Sequence, residues 1–516
     1  MSVLSKRPRG IPKTQLFRVT AIAMVLWSAV VFGSFANRLD NIALVLGGMI
    51  LLGMLALMLA RPETTTVIVL FVLYANLTVV AVRSYNVPEL LAASFFMLLG
   101  LPLLNYLMIR RQGIIINRIF FLMLVYLGVI LVSAVASRNA GDSTARILVY
   151  LIEGLVLYFL IINTVRTPDL LRKGVWALIL AGCLMGGISL YQELTGDYDN
   201  DFGGLAKVKA SEIDTGEVDY LGNDVTRRRL AGPIGSKNRY GQVMVVLLPL
   251  ALFRIWAERS RRLRILAAAA CVPIISGALL TFSRGAGLSI VVTLLVMVIL
   301  RIIKLRHFLV IAVAASLVVL VAIPDYAYRI STVTDVAGLA SGDRTGIGVS
   351  VLGRATENLG GLNIFIDHPI LGVGPGQTNL YMTAYGNQLG LKMLEGTRRA
   401  HSMYLEELAD TGIVGFAVFL SIVLFTLYQL AKARRRWTPS RPDIAFTATG
   451  FLLAIIAYLV SAIFLHLSYI RYYWLLLALA GAAIQIFHTA PPMESGLREN
   501  DARDELSIPD RAMVSR

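Results

Sequence analysis

The sequence predicts an all-α polytopic membrane protein with about 12–14 transmembrane helices and two long loops on the outer side. Three observations carry this. Of 516 residues, 57% are hydrophobic and only 16% charged, with a mean hydropathy of +0.70. So much apolar surface excludes a water-soluble enzyme, a disordered tail or a disulfide-stapled secreted module. Apolar stretches of about bilayer length recur along the chain, and the basic residues between them alternate in abundance, as the positive-inside rule requires.

Fourteen stretches qualify as spans: 20–36, 41–60, 65–82, 90–109, 119–136, 147–164, 174–192, 240–257, 265–282, 286–300, 308–323, 412–430, 444–465 and 470–488. With the basic N-terminus (Lys6, Arg7, Arg9, Lys13, Arg18) inside, every second connection is cytoplasmic. Those connections hold 25 Lys and Arg, against six in the short outer ones. The bias puts both termini in the cytoplasm and both long loops outside. The chain therefore divides into N-terminal transmembrane helices (1–193), a first outer loop (194–239), central transmembrane helices (240–323), a large outer loop (324–411), C-terminal transmembrane helices (412–490) and a polar, disordered cytoplasmic tail (491–516). Ser34-Phe35-Ala36 looks like a signal-peptide cleavage site, yet the first span reads as a retained anchor, and the later topology is the same either way. Cys183 and Cys271 read as small core residues without a disulfide, and no transporter-like internal repeat is visible. In such a chain the net charge of +16 marks cytoplasmic loops and asks for no nucleic acid.

Chemistry is then confined to the outer loops and the helix ends beside them. Histidine exchanges its proton near neutral pH, and there are five. His307 falls on the cytoplasmic side, His466 and His488 sit at span ends, and His368 and His401 lie in the large outer loop. Leu405 and Leu408, four and seven residues beyond His401, predict a short amphipathic helix lying on the outer surface, broken by Gly412 before the next span. Arg398 and Arg399 disfavour a further positive charge and so predict a neutral His401 able to accept a proton. The same residues equally fit an interfacial histidine satisfied by water.

Arginine at an outer helix end is the second signal. Thr281-Phe282-Ser283-Arg284-Gly285-Ala286-Gly287 turns between two spans and offers a guanidinium and a helix N-terminus to a phosphate, or an arginine snorkelling to headgroups. The first loop closes with Arg227-Arg228-Arg229 and runs through Lys237 to Arg239, a cation cluster on the outer side or a merely solvated face. Asp197-Tyr198-Asp199-Asn200-Asp201 fails as a calcium loop, because Phe202 replaces the required glycine and Val208 the required glutamate. In the large loop, Gly353-Arg354 through Glu357 and Asn358 begins a helix. Asp367-His368-Pro369 through Gly376 ends it in a turn whose glycines lack the frame of a dinucleotide site. Glu153 is expected to be the most membrane-buried acid, marking an ion path or a hydrogen-bonded packing role.

Four passages together resemble the O-antigen ligase and polymerase superfamily of bacterial inner-membrane glycosyltransferases. They are Arg229-Leu-Ala-Gly232 leading to Asn238 and a span; Ser283-Arg284-Gly285; Gly353-Arg354 with Asp367-His368-Pro369 through Gly376; and His401-Ser402 with Leu405, Gly412 and Gly415. The resemblance covers about residues 225–430, and the other spans by hydropathy alone. It implies a GT-C-like helical fold with two long periplasmic loops, in the bacterial inner membrane. It also implies a metal-independent enzyme, with no cofactor, that takes a glycan from undecaprenyl diphosphate at the periplasmic face and moves it to a glycan or lipid A-core acceptor. On this pattern the family's loop histidine falls on His401 and its diphosphate arginines on Arg284 and Arg229. Arg354, Arg239, Arg399, Arg398, His368 and Ser402 are then substrate-binding candidates. Ser402 departs from the pattern, which commonly has asparagine there, and the span count lies slightly above the family's usual number.

The chemistry asks for the same set. Breaking a sugar–diphosphate bond releases an anion, which arginines can stabilise, while the attacking hydroxyl must lose a proton, for which His401 is the candidate base. Ligase and polymerase share this site and differ in acceptor. A transporter or flippase would instead carry charged residues along a central path and broken helices in matched halves.

Overall fold

The computed structural model describes residues 61–206, 229–322, 349–466 and 470–491. The first two expected spans, residues 207–228 and 323–348 of the two long loops, and the tail beyond 491 lie outside the described residues. Fifteen helices organise what is described. The first half contributes Pro62–Tyr74 (α1), Leu77–Tyr85 (α2), Glu89–Ile109 (α3), Arg118–Ala136 (α4), Ala140–Thr164 (α5) and Pro168–Thr195 (α6). The second contributes Lys237–Ala257 (α7), Arg261–Leu279 (α8), Arg284–Ile299 (α9), Leu305–Ala322 (α10), Val349–Asp367 (α11), Thr378–Gln388 (α12), Met403–Trp437 (α13), Pro442–Ala462 (α14) and Ile470–Thr489 (α15). No strand occurs among the described residues.

All twelve expected spans that fall on described residues are helical. Among the described residues nine helices, α3–α8 and α13–α15, are long and apolar enough to cross a membrane, while α9 and residues 305–314 of α10 form shorter apolar helices. The span expected at 65–82 is not continuous. It bends by 58° between α1 and α2 at Asn76, whose left-handed φ of 60° stops the helix. The Asn76 amide donates to the Pro233 carbonyl and accepts from Arg471, so the break is held from two sides. Local capping sets other boundaries: Asn117 and Asn139 accept from the first free N–H groups of α4 and α5, and Thr167 with Pro168 starts α6.

Burial separates the centre of the bundle from its rim. Protein covers 83% of the most apolar stretch of α15 and 72% of those of α7 and α14, against 28% for α4 and α8. Helices buried on all sides are the hub and half-exposed apolar ones face lipid. The α7–α14 and α7–α8 contacts are the most extensive. Several connections and helix ends meet at one end of this bundle. Arg83 donates to Ile234, Arg471 reaches Asn76 and Thr78, and Gln377 pairs with the backbone of Asn139. At the opposite end Arg110 meets Glu63, Arg172 and Arg254 meet Glu258, and Arg441 meets Asp443.

The second long loop folds onto the first end as a small unit. Helices α11 and α12 share a core of Ile364, Met382, Leu394, Ala400 and Ala409. Its anchor is a break inside α13 at Gly412, with φ 65° and ψ −170°. Across this break the 369–376 segment runs alongside α13. Val373 N–H donates to Ala409, Gly374 to Asp410, and Ile413 to Pro369. The Asp410 carboxylate accepts from the N–H groups of Gly376 and Thr378 and from the Thr378 hydroxyl. The glycines of this passage therefore serve close backbone approach.

Two expectations change here. The segment after His401 is no surface helix. Glu406, Glu407, Asp410 and Thr411 are buried, whereas Leu405 and Leu408 are only partly so. The acids turn inward because cations and donors meet them there: Arg146 lies among Glu406, Glu407 and Asp410, and the Tyr126 hydroxyl donates to Glu407. Glu153 is only partly buried, whereas Glu406, Glu407 and Asp410 on α13 are buried.

Gly412 occupies backbone space that is essentially glycine-only, and a Cβ there would lie 2.2 Å from the Ile370 carbonyl oxygen. Gly412→Ala should lower stability by at least about 1–3 kcal/mol, read as a reduced thermal midpoint of the detergent-purified protein. Unchanged melting would show that the α13 break is not required.

Candidate active site

Three segments from distant parts of the chain meet at the loop-bearing end: the turn into α9, one face of α11, and the start of α13 with the neighbouring α14–α15 connection. The turn is built on Phe282, a non-glycine residue at φ 50° whose strain must be held by its surroundings. Arg229 holds it. Its guanidinium is 4% exposed and donates to the carbonyls of Thr281 (2.7 Å) and Phe282 (3.2 Å) and to the Asn238 side chain. Ser283 caps α9 and Arg284 is its first residue. Arg229 thus lies beneath the turn and braces it, with these donors engaged by the protein itself.

Arg284 and Arg354 face each other electrostatically. Burial lowers the pKa of Arg354 and the neighbouring Arg284 charge lowers it further, with Glu357 opposing. Among the described residues neither arginine has a hydrogen-bond or ion-pair partner. Two half-buried guanidinium groups that feel each other's charge, with no acid in direct contact among the described residues, are poised for an anion.

One turn along α11 from Arg354, Glu357 reaches His401. Its Oε2 lies 2.7 Å from the imidazole Nδ1. The N–H direction misses the carboxylate, so the contact is a close approach rather than an aligned hydrogen bond. The His401 side chain is 31% exposed and that of Glu357 only 6%, so one edge of the ring meets protein while the remainder is open. The two arginines expected to repel charge from His401 have acids of their own. Arg398 lies 3.8 Å from Glu357 and Arg399 3.8 Å from Glu406. Ser402 contributes its backbone, its carbonyl accepting from Glu406 N–H as α13 begins.

His466, in the α14–α15 connection, stands edge-on to His401 with ring centroids 6.0 Å apart. Arg239, buried at the start of α7, donates to the His466 carbonyl and to Gln242. Gly285, next to Arg284, packs on Phe464, where a Cβ would come within 3.3 Å. The arginine turn and the two histidines therefore share one neighbourhood. His368 does not join it. It lies eleven residues along the chain from Glu357, about 16 Å by helical rise, and packs edge-on to Tyr381 at 5.9 Å. Residue type and spacing did not single out Glu357, Glu406 or His466. The i, i+3 placement of Arg354 and Glu357 was the readable signal for the first; nothing local pointed to the other two.

A separate cavity is lined by Tyr126, Arg146, Glu407, Asp410 and Trp474, and by none of His401, Glu357, Arg284 or Arg354. Among the described residues no group of three or more His, Cys, Asp or Glu is arranged to hold a metal.

Burial pushes the His466 pKa down to about 4, with Arg239, Arg399 and His401 adding and Glu406 opposing. As pH falls, the unfolded chain takes up this proton first, near 6.5, so folding stability is lost between about 6.5 and 4. A shift of that size is worth up to about 3 kcal/mol. His466→Gln should therefore melt with a shallower loss of thermal midpoint over that range than wild type. Parallel curves would show that His466 does not titrate as its surroundings dictate.

A family model described as O-antigen ligase matches residues 269–420. The match takes in Arg284, Arg354, Glu357 and His401 and leaves Arg229 and Arg239 outside. No curated protein matches the chain. That family description, together with the apolar helices long enough to cross a membrane among the described residues, makes this a multi-pass membrane protein similar in part to glycan ligases. The match spans under a third of the chain, and over residues 269–420 the protein is similar to the O-antigen ligase family.

Proposed function

We propose that the protein is a glycosyltransferase that takes a glycan from an undecaprenyl-diphosphate carrier at the periplasmic face of the inner membrane and joins it to an acceptor hydroxyl. The observation that carries this reading is the pair Arg284 and Arg354, which have no hydrogen-bond or ion-pair partner among the described residues, with Arg354 one helical turn from the carboxylate that touches His401. In this reaction the acceptor oxygen forms a bond to the anomeric carbon, and the bond from that carbon to the phosphate oxygen breaks. The electron pair departs with the diphosphate, whose charge Arg284 and Arg354 receive. The hydroxyl proton goes to His401, whose ring is open on the side away from Glu357. Arg229 acts on Arg284 through the strained turn, and Arg239 on His466 through its carbonyl. Arg398 and Arg399 serve through their acids, and Ser402 through the α13 start.

In this reading the leaving group is neutralised by guanidinium groups, so transfer is independent of a divalent cation. The donor lipid lies beside α9 and the acceptor approaches His401 from the open side. The acceptor is either lipid A-core, as in a ligase, or a second lipid-linked glycan, as in a polymerase; both use this site. Cells lacking the protein separate the two: accumulated long lipid-linked chains indicate a ligase, and their absence together with lost surface polymer a polymerase.

His401→Ala should abolish transfer by the purified, folded protein, a loss of roughly 10²- to 10⁴-fold or more. Wild-type turnover by this variant would remove His401 from the mechanism. Arg284→Ala and Arg354→Ala should each reduce kcat/KM for the diphosphate donor by roughly 10²-fold. Donor kinetics unaltered by either change would exclude the anion cradle. Excess EDTA should leave the rate of the metal-free preparation unchanged; inhibition reversed by a divalent ion would contradict the guanidinium mechanism.

A further inference from the structure

Glu357 is the acid that the reaction as written does not use. It is 4% exposed, and a buried carboxylate is costly unless charges or donors answer it. Its neighbours are the His401 Nδ1 at 2.7 Å, the Arg398 guanidinium at 3.8 Å and the charge of Arg354 one turn earlier. Arg398 is a weak reason for Glu357 to be there. Its side chain is half-exposed and also donates to the Glu395 carbonyl, and an exposed pair contributes at most about 1 kcal/mol. His401 is the stronger reason. Its Nδ1 is buried without an aligned partner, and the nearest acceptor is this carboxylate.

We propose that Glu357 is a positioning residue for glycan transfer, holding the imidazole of His401 through Nδ1 so that Nε2 faces the acceptor hydroxyl. The inference rests on His401 being the base. When the acceptor hydroxyl gives its proton to Nε2, the ring becomes an imidazolium, and Glu357 remains a carboxylate that balances the new charge without taking the proton. The small adjustment that aligns Nδ1–H with the carboxylate accompanies substrate binding, as contacts at such sites commonly tighten in the reactive complex. Its place on α11 also explains why Arg354 and Glu357 stand three residues apart. The helix presents a cation to the leaving group and an anion to the base from one face.

The test is steady-state transfer by the full-length purified protein, with lipid-linked donor and acceptor, across pH. The proteins compared are wild type, Glu357→Gln, Glu357→Asp and His401→Ala, with folded fraction checked by thermal melting. Glu357→Gln should lose about 10²-fold or more in kcat, with the donor KM within about threefold of wild type. The acidic limb of its pH–rate profile should move to lower pH, because the imidazolium has lost its neighbouring anion. Glu357→Asp should recover part of the rate, since it restores charge at shorter reach. Wild-type kcat and an unshifted profile in Glu357→Gln, with His401→Ala inactive, would overturn this inference and leave the base assignment standing. Activity in His401→Ala would instead overturn the base reading itself. If Glu357→Gln is not recovered folded, Glu357→Asp decides: a wild-type rate and profile there overturns the proposal.

Discussion

The break in α13 at Gly412 is the constraint on which the arrangement of the site depends. A continuous helix would use its own N–H and C=O groups at this point and leave the 369–376 segment nothing to bind. With the break, backbone groups on both sides are free to pair with that segment, and the Asp410 carboxylate closes the junction by accepting from Gly376 and Thr378. A buried carboxylate satisfied by several donors is a costly group made acceptable by its partners, so the junction has one preferred geometry. That geometry sets the height of α11 over the membrane helices, and with it the contact between Glu357 and His401.

Arginine plays two opposed parts at this end of the bundle, and partnership separates them. Arg229 and Arg239 are buried and donate to backbone carbonyls, the first bracing the strained Phe282 turn and the second the His466 connection. Arg398 and Arg399 stand near acids. Among the described residues Arg284 and Arg354 have only each other's charge and the field of Glu357. Close approach of two like charges is unfavourable in any medium and worse where water is scarce. The scaffold that imposes it must be stiff, which the capped α9 and the docked α11 provide.

Much of the fold was legible because lipid is an undemanding reader of sequence: apolar length and one-sided basic charge suffice to mark spans. All twelve spans on described residues are helical. What escaped were features set by tertiary partners. The bend at Asn76 depends on Arg471 and Pro233, nearly four hundred and about one hundred and fifty residues away. The helix after His401 was read as a surface element because Leu405 and Leu408 are its apolar residues. Its acids are buried instead, since Arg146, Arg399 and Tyr126 wait for them on other elements. In the site, His401, Arg284 and Arg354 carry visible chemistry in the sequence and are brought together. Glu357 reads in the sequence as part of a helix start, because the contact that distinguishes it is with a residue forty-four positions later. Arg229 looked like a ligand from its cluster of charges, yet hydrogen bonds to two carbonyls turn it into a brace.

Phasing along α11 has a consequence for how this end of the molecule can vary. Arg354 and Glu357 project from nearly the same side because three residues complete most of a helical turn, and the separation between the two groups is a property of that single rod. Membrane helices can be lengthened, tilted or resurfaced without altering it. Adding or deleting one residue between positions 354 and 357 would swing one group about 100° around the axis relative to the other. The spacing is thus written in covalent geometry, and the tolerance of this region to length change ends abruptly at those three residues.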